Sequence, residues 1–200
     1  MEAGVALVPE RRILEGLATE MSIRDNIALP SVSRRGSPVF VGRRWQNQVA
    51  GDAVDQLGII TRSVATLIKE LSGGNQQKAL FARALASDAT IILMDDPMRG
   101  VDIGTKQEVY AMIRAEAEKG RTFIWYTTEI EELTHCDRAC VFRNGAIVAD
   151  VSIVHPAVLG TPLTIHVLVS LEREGTAALD AYSATALRRV WRAQHFSWWM

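Results

Sequence analysis

The sequence predicts an α/β fold built on a parallel sheet, and three features of its middle carry that reading. Residues 90–94 (TIILM) and 122–126 (TFIWY) are short apolar runs bounded by polar residues, the pattern of strands buried on both faces. Between them, residues 102–119 read as a helix with Asp102 as N-cap and Gly120 as stop. A strand, a crossover helix and a second strand bring the second strand back parallel to the first.

The other elements are placed along the chain in order. VALVPE near the N-terminus reads as a short buried strand ending at Pro9. Residues 11–70 differ: they are rich in Arg and polar residues, with apolar positions at helical spacing. Ser22 caps a helix that starts near Ile23, residues 31–38 (SVSRRGSP) read as a loop, and residues 45–57 form a second helix closed by Gly58. Residues 74–86, dense in Ala and Leu, form a third. A short helix is expected over 129–133. Two strands, 138–142 and 146–150, are joined by Asn144-Gly145, a strong hairpin signal.

Residues 151–171 carry no charge and could span a bilayer by length, but Pro156, Gly160 and Pro162 make a loop with short strands the expectation. The tail, 172–200, can form a helix over 179–193 and ends FSWWM. Its tryptophans fit an interface or membrane edge, an inward-packed terminal helix, or disorder.

Composition bounds the function. With 200 residues, 48% hydrophobic and 22% charged, the chain can build one domain with a core. A net charge of -1 supplies no field for nucleic acid or an acidic membrane. Two cysteines fit a reducing compartment, and the N-terminus lacks the basic start and apolar run of a signal peptide. His135, Cys136 and Cys140 offer three zinc-type ligands with no fourth nearby in sequence.

Chemistry concentrates in residues 71–104. Ser72-Gly73-Gly74 opens the 74–86 helix, so backbone N–H groups, a hydroxyl and the positive helix end converge where a phosphate oxygen can bind. A capped turn with no ligand has the same pattern. Asp95 and Asp96 end the 90–94 strand, where α/β proteins bind ligands; one aspartate can hold Mg²⁺ through water and the next can polarise an attacking water. Two acids that cap a loop have the same pattern.

Together the motifs are specific. LSGGNQQK (71–78) resembles the signature motif of ABC transporter ATPases, ILMDDP (92–97) their Walker B strand, and Gly100-Val101-Asp102 their D-loop. The fuller string resembles the second nucleotide-binding domain of bacterial sugar importers of the ribose, xylose and galactose type. VPERR (8–12) and the residues from Gly16 to Asn26 resemble the segment upstream of it, so the resemblance covers about residues 4–150. It implies an incomplete P-loop NTPase domain over 1–150, with a helical subdomain (11–70) against the permease and a signature-to-Walker B core (71–150). The 151–200 tail does not match the family.

In that family two domains sandwich two ATPs. The resemblance implies that Ser72, Gly73 and Gly74 bind the γ-phosphate in trans, with Asn75 and Gln76 at the edge of the contact. Asp95 stands at the Mg²⁺ aspartate, Asp96 at the catalytic glutamate, Asp102 at the residue coupling the two sites, and Glu10 at the Q-loop glutamine. Thr128 stands where many members carry a switch histidine. Asp96 is one methylene shorter than glutamate, and no GxxxxGK[ST] phosphate loop occurs in the 200 residues.

The function implied is an ATP-binding component, using ATP and Mg²⁺ to drive carbohydrate import, truncated and weak or inactive alone. Its partners are a second ATPase domain, a transmembrane permease and a periplasmic sugar-binding protein, and no nucleic acid. It would work on the cytoplasmic face of the bacterial plasma membrane. Two rivals remain: a non-catalytic partner completing another ATPase's site in trans, and a gene fragment without function.

Overall fold

The computed structural model describes residues 4–35, 43–143, 146–152 and 165–170. The elements in chain order are β1 (Val5–Val8), α1 (Ile23–Arg35), α2 (Arg43–Gln56), α3 (Gly73–Leu85), β2 (Ile91–Asp95), α4 (Ile103–Glu118), β3 (Thr122–Thr127), β4 (Arg138–Arg143), β5 (Ala146–Ser152) and β6 (Ile165–Ser170). A π-helical turn (Arg12–Gly16) and two 3-10 turns (Ile68–Glu70, Ile130–His135) complete them; the second takes the place of the helix expected over 129–133. The expected tail helix over 179–193 lies outside the described residues, as do residues 153–164 of the uncharged segment.

The six strands form one sheet in the order β1-β2-β3-β6-β4-β5. The parallel reading holds for β1, β2 and β3, with Leu7 opposite Leu93 and Leu93 opposite Ile124. Strands β4 and β5 pair antiparallel, as the hairpin reading expects, with Asn144 and Gly145 outside the described residues. One placement is unexpected. The strand inside the uncharged segment, β6, inserts between β3 and β4 and runs parallel to both. β3 and β4, adjacent in sequence among the described strands, are therefore separated in space by β6, the last described strand.

Local capping accounts for the helices. Ser22 Oγ accepts from the Asp25 N–H at 3.1 Å, and Asp102 accepts from the Thr105 N–H at 2.9 Å. Gly58 and Gly120, with φ of +57° and +97°, end α2 and α4 as glycine does at helix C-termini. Helix α1 runs five residues further than the loop expected over 31–38 allows, through Pro30. Proline normally breaks a helix because it lacks a donor. Here packing outweighs that cost: Ile23, Ile27 and Ala28 are fully buried, and Ser31 donates to the Ala86 carbonyl at 2.7 Å, tying the end of α1 to the end of α3.

The core corrects a second expectation, that residues 90–94 and 122–126 are buried on both faces. Ile92, Met94, Phe123 and Trp125 are buried, whereas Leu93 is 37% exposed and its register partner Leu7 is 61% exposed. The physical reason is coverage. Helices α3 and α4 both pack on the face of Ala6, Val8, Ile92, Met94, Phe123 and Trp125, and no described element covers the other face.

Within residues 11–70, a buried polar hub ties the start of α1 to the chain that leads into it. Asn26 is fully buried; its carboxamide accepts from the Ala18 N–H at 2.8 Å and donates to the Ala18 and Ser22 carbonyls, each at 3.0 Å. Asn26→Ala leaves these buried groups unsatisfied, so unfolding stability should fall by about 3 kcal/mol. Urea denaturation checks this, and a midpoint unchanged from wild type contradicts the hub's role.

Candidate functional site

The residues singled out by sequence come together at one end of the sheet. Helix α3 runs back along the sheet before β2, so its N-terminus lies at the end where β1, β2 and β3 finish. The side-chain amide of Gln77, buried in α3, donates to the Pro97 carbonyl just past Asp95-Asp96 at 2.7 Å. This bond fixes the Ser72 turn relative to the aspartates.

Ser72 is exposed, and its hydroxyl accepts from the Asn75 N–H at 3.4 Å and from its side-chain amide at 2.9 Å. The Asn75 carboxamide also accepts from the Ile60 N–H at 2.9 Å, anchoring the strap after α2. Gln76 turns inward, is 9% exposed, and donates to the Ile68 carbonyl at 3.4 Å. Beside Gly73 stands the guanidinium of Arg12: a Cβ at residue 73 would lie 3.0 Å from its Nη2. That puts a cation next to the phosphate-type turn.

Gly74 is glycine for a reason the sequence did not reveal. A Cβ there would lie 2.6 Å from Thr105 Oγ1 and 3.3 Å from Asp102 Oδ2. The turn is thus pressed against the cap of α4. Both Asp102 oxygens serve that cap: Oδ1 accepts from the Thr105 N–H at 2.9 Å and Oδ2 from its hydroxyl at 2.8 Å. These bonds, backbone first, hold the exposed Asp102 carboxyl below the ordinary carboxylate range.

Asp95 ends β2 with an exposed side chain. Asp96 differs in every respect. It is 6% exposed, its φ is +41°, in the left-handed region that L side chains rarely adopt, and its N–H donates to the Tyr126 carbonyl at 2.9 Å. Oδ1 is buried without a hydrogen-bond partner. Burial pushes its carboxyl above the ordinary range; Arg99 opposes this, while Glu10, Glu129 and Asp95 add to it. Glu10 is ion-paired with Arg99, so the residue after β1 is held to the loop after β2.

Thr128 is exposed just past β3, while Thr127 is buried and its hydroxyl accepts from the Glu129 N–H at 3.0 Å. Beneath it lies Glu132, 1% exposed, which accepts from the Tyr110 hydroxyl at 3.0 Å and keeps Oε2 unpartnered. Burial raises its carboxyl, opposed by the nearby hydroxyls of Thr127 and Tyr110. Tyr110 stacks on His135 at 4.0 Å between ring centroids. Cys136 is buried, donates to the Leu133 carbonyl, and has its thiol pushed up to about 12, first by burial. Among the described residues no three His, Cys, Asp or Glu side chains gather as a metal cage. A Mg²⁺ at Asp95 therefore needs water and phosphate oxygens for its other ligands.

Sequence reasoning missed Arg12, Gln77, Arg99 and Glu132. Gln77, Glu132 and Arg12 act through partners at least five residues away, and the ion pair of Arg99 with Glu10 joins the loops after β2 and β1, so none leaves a local signal.

The ABC transporter family model matches residues 1–99. The ribose import ATP-binding protein RbsA 2 of Burkholderia ambifaria is 39% identical over 151 residues, covering 74% of this chain and 30% of the relative. RbsA 1 of Mesorhizobium japonicum is 36% identical over 167 residues, covering 82% and 32%. The chain thus spans about a third of the length of these curated relatives. The dimeric post-hydrolysis state of the ATP-binding cassette MJ0796, bound to ADP and Pi, matches with a TM-score of 0.63 at 24% identity, covering 76% of this chain and 63% of that one. The ADP conformation of MJ1267, an ATP-binding cassette of an ABC transporter, gives 0.61 at 22% identity, covering 76% and 61%.

The geometry makes two outcomes measurable. Gly74→Ala should cost about 1–3 kcal/mol of unfolding stability, and adding Thr105→Ala should recover part of that loss; thermal melts of the two single variants and the double variant measure the coupling. Glu132→Gln should stabilise the protein increasingly as pH rises from 4 toward 7. A carboxyl raised in the folded state stays protonated there after the unfolded chain has ionised, so wild type loses stability over that window and Gln does not. Melting temperatures across the range check this, and a difference that shrinks with rising pH contradicts it.

Proposed function

Because the chain belongs to the ABC transporter ATPase family, we propose that it is the ATP-binding component of a carbohydrate importer. On this reading it supplies the signature-side half of a composite ATP site. The supporting observation is the joint placement at one sheet end of exposed Ser72 and Gly73 with half-buried Gly74, exposed Asp95 and buried Asp96. The residues suit the nucleotide and its metal: Asp96 Oδ1 is buried with no partner, and the α3 N-terminus is open beside a cation.

Ser72, Gly73 and Gly74 would hold phosphate oxygens of a nucleotide seated on a second ATPase domain, through backbone N–H groups and the helix end. Asp95 would hold Mg²⁺ through water. Bound Mg-ATP supplies the phosphoanhydride bond whose cleavage drives transport. Asp96 would orient the attacking water and take its proton; burial moves its carboxyl toward the range a general base uses, while its short side chain lengthens the reach. Glu10, held by Arg99, would pass the state of the site to the permease, which residues 11–70 would contact. Asp102 would bind across the dimer, and Thr128 would border the nucleotide by a hydroxyl alone. The chain would then work on the cytoplasmic face of the membrane, served by a periplasmic sugar-binding protein. Among the described residues no helix is long and apolar enough to cross a membrane.

A second reading keeps the site and drops the turnover: the chain completes the ATP site of an intact ATPase in trans without hydrolysing ATP itself. Asp96 favours it, because its side chain is one methylene shorter than a glutamate's and its backbone is held in the left-handed region at φ +41°.

One experiment separates the two. Alone, the purified chain should turn over Mg-ATP at or near background rate under both readings. Mixed with an intact sugar-importer ATPase, Asp96→Ala should lower the rate under the first reading and leave it unchanged under the second. Under both, adding the chain to an intact sugar-importer ATPase should raise its rate, and Ser72→Arg should remove the gain by filling the phosphate position. No change on addition, and none from Ser72→Arg, rejects both.

A further inference from the structure

Arg24, Lys78, Arg99, Lys106 and Arg114 each pair with a carboxylate. Arg12 does not. It is half-buried, its Nε is buried without a hydrogen-bond partner, and among the described residues no carboxylate pairs with its guanidinium. A buried donor left unsatisfied on a cation is costly unless an anion answers it.

Packing fixes where this cation stands. The turn Arg12–Gly16 is held against α3 at both ends. At one end a Cβ on Gly16 would lie 3.0 Å from Leu80 Cδ1, and the Gly16 carbonyl accepts from the Arg83 guanidinium. The turn closes on itself through the Leu17 N–H, which donates to the Arg12 carbonyl at 2.7 Å. At the other end the Arg12 guanidinium lies flush on residue 73, where a Cβ would stand 3.0 Å from Nη2 and 3.8 Å from Cζ. Only glycine lets the guanidinium come so near. Gly73 and Gly74 are the first two residues of α3, where N–H groups have no intrahelical acceptor. An unpaired guanidinium and open backbone donors thus converge beside exposed Ser72 and Gly73.

A helix end alone attracts any small anion. A guanidinium beside it adds a planar fork of donors that matches two oxygens of one phosphate group. We propose that Arg12 is a phosphate-binding residue: its guanidinium takes oxygens of the terminal phosphate that Ser72, Gly73 and Gly74 hold. This rests on the signature-side reading above and adds to it a charged ligand from outside the motif, supplied by the turn after β1. The ligand class is a polyphosphate chain presented end-on. The Arg12 N–H donates to the Glu10 carbonyl at 3.1 Å, and Glu10 is ion-paired with Arg99. A phosphate held by Arg12 is therefore one hydrogen bond away from the residue that joins β1 to the loop after β2.

Tripolyphosphate titrated into the full isotope-labelled chain, followed by amide chemical shifts, tests this. In wild type the Gly73 and Gly74 amides should shift saturably. Arg12→Met should weaken that binding roughly tenfold or more, and Arg12→Lys, which keeps the charge and loses the fork, by a smaller factor. The loss in Arg12→Met should shrink as ionic strength rises from about 0.01 M to about 0.5 M, because the missing group is a charge. Labelling of Arg12 by phenylglyoxal in the wild-type chain needs no variant and decides the matter if Arg12→Met unfolds: tripolyphosphate should slow it. Shifts at Gly73 and Gly74 with the same affinity in Arg12→Met overturn the proposal and leave the half-site reading standing. A loss independent of salt, or labelling that tripolyphosphate does not slow, overturns it in the same way. No shift at Gly73 and Gly74 in wild type overturns both.

Discussion

Residue 74 has no side chain, and the space it leaves is taken by Thr105 and Asp102 at the start of α4. Most of the site geometry depends on that close approach. It presses the Ser72 turn against the loop that comes after Asp95 and Asp96, and the Gln77–Pro97 bond seals the same junction from inside the core. The phosphate-type turn and the paired carboxylates thus move as one body. Their relative position is set by packing at glycine contact distance, where a single methyl group is felt.

The electrostatics of the crevice stem from that rigidity. Glu10, Asp95, Asp96 and Glu129 all press on one small volume, and Arg99 is the cation that answers them nearest Asp96. Asp96 is held there buried, with one oxygen unpartnered and its backbone in the left-handed region. Such strain persists where surrounding structure over-determines a residue, and it gathers at functional sites. Asp102, a few residues on, has the opposite character: exposed, fully hydrogen-bonded and held acidic by its cap. Neighbouring aspartates in one motif are therefore tuned apart by environment alone.

The sheet shows how a chain matching about a third of its relatives' length arranges its strands. Edges that face each other across a gap are a liability, since each exposes a row of unpaired N–H and C=O groups. Here β3 and β4 are joined through β6, so both inner edges are paired. The cost of leaving them open drives a late, uncharged segment into the middle of the sheet.

The features that the sequence determined by itself were local. The helix caps Ser22, Ser72 and Asp102, the stops Gly58 and Gly120, the antiparallel pairing of β4 with β5 and the motif order from Ser72 to Asp102 were legible because each depends on residues a few positions apart. Helix α1 beyond Pro30 was not, because burial of Ile23 and Ile27 and the Ser31–Ala86 bond overrule a local helix breaker. Only the tertiary structure decided the rest: that Gly74 is needed by Thr105, that Glu10 meets Arg99, that Leu7 and Leu93 are exposed on the sheet while Ile92 and Met94 are buried, and that β6 lies between β3 and β4. Those facts join residues far apart in the chain, and their free energy appears only when the sheet and helices close on one another.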